Sequence, residues 1–128
     1  MKRLAIDLAP GEYTVARLST GAAPPHIESA GLVSVTATAD GVSVVCPSDV
    51  APASEHSRPG WRLLTVRGPL EFDLTGVMAA LAGELAAAGV TLLAVSTYDT
   101  DHVLVKSADL ERALKALAEA GHEVAHAP

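Results

Sequence analysis

The chain has 128 residues, enough for one ordinary domain or two very small ones fused around a shared sheet. Hydrophobic residues make up 49% and aromatic ones 3%, so the expected core is built of Val, Leu and Ala, and composition argues against disorder. With 15 acids against 9 Lys and Arg, the net charge of -6 argues against a nucleic-acid backbone or an anionic membrane surface as partner.

Lys2 to Leu8 is apolar and β-compatible, and Pro10-Gly11 signals a turn. Glu12 to Leu18 alternates polar with apolar residues, which is strand periodicity, so the two segments read as a possible hairpin. Ser19 to Ala30 is rich in Gly, Ala, Pro and Ser, with room for at most one helical turn after Pro24-Pro25. Leu32 to Thr38 and Val42 to Cys46 are β-branched runs on either side of Ala39-Asp40-Gly41, a strong hairpin signal. Pro47 to Gly60 reads as a connector with a turn of helix at Ser48 to Ala51, and a domain boundary falls here.

Trp61 to Val66 has the continuous apolar character of an interior strand. Leu74, Val77, Met78, Leu81 and Leu85 recur at helical spacing, with Asp73 as N-cap and Gly89 as stop. This helix is apolar nearly all round, which predicts packing between the sheet and a partner subunit. Thr91 to Ser96 and His102 to Lys106 are predicted strands joined by a tip at Tyr98 to Asp101. A second helix follows over Ala108 to Ala120, with Ser107 able to cap it and Leu110, Leu114 and Leu117 facing inward. His122 to Ala125 completes the second half as a short strand. That half reads βαββαβ, the ferredoxin-like order of an α+β fold. The first half reads as strands with the first helix nearly missing. The pattern leaves open whether the terminal strands pair within one half or across halves.

Cys46 stands alone, so no intrachain disulfide forms; it reads as a small buried hydrophobe, and a reducing compartment fits. Met1 to Asp7 meets an acid before any signal-peptide core, and no run approaches a membrane span, so a cytoplasmic protein is expected. No His stands beside a Ser or Cys as in a nucleophile motif, and the five His are not spaced as a zinc site. Gly68 to Gly76 lacks the Lys of a phosphate-binding loop. Asp99 and Asp101 form a short acidic pair that ordinary turn chemistry explains better than a cation does. No enzyme activity, metal or cofactor is therefore expected. A binding role has more support. Asp73 to Val77 presents backbone N–H groups at a helix start, where a carboxylate is favoured. Gly76 permits close approach, and Asp101 supplies a fixed negative charge. An amino acid needs both donors and an acid. The same residues also fit a purely structural reading, in which Thr75 and Gly76 allow close packing and Asp101 closes a turn.

Ser34-Val-Thr36, Asp40-Gly-Val-Ser-Val-Val-Cys46, Gly60-Trp61-Arg62, Gly68-Pro-Leu-Glu-Phe-Asp-Leu-Thr-Gly76 and Ser96-Thr-Tyr-Asp-Thr-Asp101 form an ordered set. Together they resemble small bacterial ACT-domain proteins related to the eukaryotic cytosolic arginine sensor. The resemblance implies two tandem ACT modules of ferredoxin-like βαββαβ fold, the first degenerate, over residues 1–60 and 61–128. It also implies a free amino acid bound at an interface between modules, and a homodimer. Carried over by motif, the implied ligand-binding residues are Ser34, Val35, Phe72, Thr75, Gly76, Val77, Thr97, Tyr98 and Asp101. The sensor carries an acid just after the Phe-Asp of its loop, where this chain has Leu74. The implied ligand is therefore smaller or more apolar than arginine. The expected function is a non-catalytic, amino-acid-binding regulatory module. The alternative is an interaction protein that dimerises or partners an enzyme without a ligand.

Overall fold

The computed structural model describes residues 3–68 and 76–126. The chain divides into two compact units: residues 11 to 61, and residues up to Pro10 together with those from Arg62 onward.

The N-terminal unit is an antiparallel sheet of β2 (Tyr13–Leu18), β3 (Ser34–Thr38), β4 (Gly41–Pro47) and the first half of β5 (His56–Val66), in the order β3-β4-β2-β5. The β3–β4 hairpin forms where Ala39-Asp40-Gly41 predicts it, and Gly41 takes the positive φ of 137° that the tight turn requires. Val42, Val44 and Cys46 of β4 are buried, with Ile27, Val33 and Val50 packed against them. The segment between β2 and β3, which contains no helix, thus supplies the apolar cover that a helix would give. A single helical turn at Ser48–Val50 follows β4.

The connector expectation for Pro47 to Gly60 needs correction at its end. β5 begins at His56, five residues before Trp61, and pairs with β2 through Val15↔Arg58, Ala16↔Ser57 and Arg17↔His56. Pro59 and Gly60 concealed this. The register shifts between Tyr13 and Val15, so they occupy an irregular stretch where a missing N–H and a φ of 85° do no harm.

The C-terminal unit contains the second half of β5, α1 (Val77–Ala87), β6 (Leu92–Ser96), β7 (Asp101–Lys106), α2 (Leu110–Glu119) and β8 (Glu123–His126). These six elements follow the order βαββαβ, giving a mixed α+β fold dominated by sheet. The sheet also takes in β1 (Ala5–Leu8), in the order β8-β1-β5-β7-β6. β1 runs antiparallel to β5, with Ile6 opposite Val66, and parallel to β8, with Ile6 opposite Val124. The β1–β2 hairpin that the sequence allows is therefore not formed. Leu4, Ile6 and Leu8 are each buried to 5% exposure or less, and an interior position between two strands buries them better than a hairpin edge would. The two terminal strands pair with each other, within one unit.

Both helices cover one face of this sheet. Leu81 and Leu85 of α1 and Ala113 and Leu117 of α2 join Ile6, Leu64, Val66, Val103 and Val105 in one apolar cluster. α1 starts at Val77 with Gly76 in the N-cap position; Asp73 and Leu74 lie outside the described residues. A helical turn at Ser107–Asp109 precedes α2, so the helix proper begins slightly later than the periodicity suggests.

Candidate ligand-binding site

β6 and β7 pair from Leu92↔Val105 to Ser96↔Asp101, leaving Thr97 to Thr100 as the tip. The tip is braced from inside. The Thr97 N–H donates to the Thr100 carbonyl at 2.9 Å, the Thr97 hydroxyl donates to the same oxygen at 3.1 Å, and the Thr100 N–H donates to Thr97 Oγ1 at 3.3 Å. It is also tied to β5, because the Thr100 hydroxyl donates to the Val66 carbonyl at 2.6 Å. The hairpin tip and the end of the strand leading toward α1 therefore occupy the same end of the sheet.

α1 starts at that end as well. It finishes just before β6 begins, at the Leu92–Val105 end of the hairpin. Its 11 residues span roughly 16 Å, comparable to the five residues of β6, so its first turn lies toward Ser96 and Asp101. Gly76 adopts φ 84°, and its carbonyl accepts the Ala80 N–H at 2.9 Å, closing the first helical turn. A Cβ added at Gly76 would meet nothing within 4 Å, so backbone conformation, not close packing, calls for glycine here. The N–H groups of this first turn have no helical acceptor, and the turn carries no acid. The Val77 side chain is 4% exposed and belongs to the core, so it does not line the surface at this end of the sheet.

Asp101 also lies on the helix side. Successive strand residues alternate faces, and Val103 and Val105 pack into the cluster under the helices. Its carboxylate is held across the strand pair, with the Ser96 hydroxyl donating to Oδ1 at 2.7 Å. Tyr98, at 84% exposure, stands out from the tip. Ser34 and Val35 lie in the other compact unit, on edge strand β3, opposite Val45 and Val44. Phe72 and Thr75 lie outside the described residues. The structure thus gathers Gly76, Val77, Thr97 and Asp101 at one end of one unit.

Two features escaped the sequence. Ser96 has no role that its sequence neighbours reveal; its signal is the equal distance of Ser96 and Asp101 from the tip, which makes them cross-strand partners. The N-terminal unit also carries an open hollow of about 990 Å³ lined by Arg17, Thr20, Asp40, Ser54, Glu55 and His56. Its side chains come from strand ends and loops with no common pattern. Cys46 is buried, and burial first, then the charge of Asp49, pushes its thiol pKa up, which keeps it protonated.

An α+β module of βαββαβ order, with an extra strand threaded between its first and last, is the class this geometry defines. Residues 56–119 match the ACT domain, half of the chain, and residues 11–54 match a second family described as an N-terminal domain. An Agrobacterium tumefaciens protein of known structure is 37% identical, with a TM-score of 0.91, covering 100% of this chain and 96% of that one. The chain belongs to the ACT-domain family. Human cytosolic arginine sensor for mTORC1 subunit 1 is 42% identical over 60 residues, 46% of this chain and 18% of the sensor. The chain thus spans about a fifth of the length of that relative. The regulatory subunit of aspartate kinase from Thermus thermophilus shares the fold at 12% identity, with a TM-score of 0.66 over 94% of this chain and 99% of that one.

Proposed function

We propose that the chain is a non-catalytic regulatory module that binds a free amino acid beside the β6–β7 tip and the start of α1. The Asp101 carboxylate takes the ligand's ammonium, and the first-turn N–H groups of α1 take its carboxylate. The single observation that carries the reading is that an acid and an amide-rich helix start share one side and one end of the same sheet. Membership of a family that includes an arginine sensor supports it. Occupancy is passed on as a change in packing or assembly, which requires different affinities for two states of the protein. In this reading the chain is a cytoplasmic homodimer of two tandem modules, 1–60 degenerate and 61–128 complete, with β1 lent to the second.

Isothermal titration with the twenty standard amino acids tests the proposal. At least one should bind, and Asp101→Ala should weaken it by ten-fold or more, the scale of a lost hydrogen bond to a charged group. Absence of heat with all of them, or undiminished binding by the variant, would sink it. A second reading, an interaction module without a ligand, draws on α1: its outward positions Ala79, Gly83, Ala86 and Ala87 are exposed and uncharged. A stable partner captured equally well by wild type and Asp101→Ala would favour that reading.

A further inference from the structure

We infer that Ser96 is the positioning residue of the amino-acid site. It fixes the Asp101 carboxylate in one orientation and, with it, selects a ligand that presents an ammonium group. This inference rests on the binding mode just proposed and assigns that mode its orienting group.

The geometry has three parts. First, Ser96 and Asp101 are directly opposed in the last register pair before the tip, so their backbones are held together by the ladder itself. Second, the Ser96 hydroxyl donates its one proton to Oδ1 at 2.7 Å. A half-exposed Asp side chain otherwise samples several rotamers, and this short bond to an ionised acceptor selects among them. Third, the tip cannot drift from the sheet, because Thr100 ties it to the Val66 carbonyl at 2.6 Å.

The chemistry of selection follows from proton accounting. Once its proton is given to Oδ1, the Ser96 oxygen retains only lone pairs, and the carboxylate's second oxygen, Oδ2, is an acceptor as well. The pair thus offers acceptors of negative character to an incoming group. An ammonium, with three donors and a positive charge, matches them. A hydroxyl matches only partly, and a second carboxylate is repelled. The ammonium common to all free amino acids is therefore what Ser96 and Asp101 read, and the rest of the ligand is read elsewhere.

The test uses the full-length protein, each standard amino acid that binds it, and for each the carboxylic acid lacking the amino group. Wild type should prefer the amino acid. Ser96→Ala should reduce that preference roughly ten-fold, by weakening the amino acid while leaving its deaminated analogue unchanged. Ser96→Thr, which keeps the hydroxyl, should restore it. A merely structural role would lower the melting temperature and weaken both compounds alike, and an unchanged preference in Ser96→Ala would equally overturn the inference. A ligand-free measurement separates it from the reading beneath it. Three-bond couplings should report one χ1 rotamer for Asp101 in wild type and averaging in Ser96→Ala. If no amino acid binds, the site reading fails and selection fails with it. If couplings are the same in both proteins, the positioning role fails even where binding is found.

Discussion

Asp101 and His102 are neighbours in sequence that face opposite ways. Asp101 lies on the helix side of the sheet with Val103 and Val105, whereas the His102 ring lies on the other face, its Nδ1 2.9 Å from Thr65 Oγ1. Burial pulls the His102 pKa below its ordinary 6.5, and the charge of Asp101 offsets this only in part. The folded protein therefore holds this proton less tightly than the unfolded chain does. Unfolding takes up a proton as the pH falls through 6.5, so His102 lowers stability on acidification until the pH drops below the folded value. His102→Gln keeps a group able to bond Thr65 and removes the titration. Its melting temperature between pH 8 and 5 should fall less than that of wild type. Equal slopes for the two proteins would show that His102 is not the group responsible. Asp101→Asn removes the offsetting charge, and a proton NMR titration should find the His102 pKa lower still.

Among the elements, β1 is held by backbone ladders on both sides, by the Arg67 guanidinium on Asp7 at its surface, and by a buried side chain at its start. The Leu4 N–H donates to His122 Nδ1 at 3.1 Å, so the proton of that ring sits on Nε2, which donates to Glu84 Oε1 at 2.8 Å. The His122 side chain is 2% exposed, and it links β1, α1 and the turn after α2. His122→Ala should leave a buried donor without its acceptor and cost about 1–3 kcal/mol. Urea denaturation measures this, and the Leu4 amide should exchange with solvent faster. His122→Asn, with a shorter acceptor, should recover part of the loss; full stability in the Ala variant would deny the link any role. The sequence could not announce this link, because nothing in the spacing of Leu4 and His122 predicts that they meet. Local signals are legible: Asp40-Gly41 between two β-branched runs for one hairpin, the tip at Tyr98 to Asp101 for the other, helical spacing from Val77 to Leu85. Pairing partners are not, since β periodicity says which face a residue takes and not which strand lies beside it. So the pattern leaves β1 free to pair with β2 or with a strand of the other half, and Pro59-Gly60 hides the first five residues of β5. The site was legible in the same uneven way. Asp101 came from resemblance and helix-start chemistry, while Ser96 required the register.

At the scale of the whole molecule, the chain passes from β1, in the C-terminal unit, into the N-terminal unit and returns inside a single strand. β5 contributes Arg58 to a pair with β2 and Val66 to a pair with β1, and the division between units falls between Trp61 and Arg62. The C-terminal unit is therefore discontinuous in sequence: its six βαββαβ elements all come after the other unit's strands begin, but the strand that lies between β5 and β8 comes from the ten residues made before that unit. Leu4, Ile6 and Leu8 are all in its core cluster. Burying three such side chains contributes roughly 4.5–9 kcal/mol, an upper figure that is comparable with the total stability of a small domain, about 5–15 kcal/mol. Removal of β1 also strips the ladder partner from both β5 and β8. A chain shortened to start at Gly11 should consequently lose cooperative unfolding of residues 62–126, seen as collapsed near-uniform methyl resonances for Leu85, Val105 and Leu117, even though every element of the ferredoxin-like order is still encoded. Moving residues 3–10 to the C-terminus through a flexible Gly/Ser linker, so that β1 enters parallel to β8 from the other end of the chain, should restore dispersed resonances. If the shortened chain keeps native dispersion in those methyl groups, the threaded strand is dispensable and the C-terminal module is sufficient on its own.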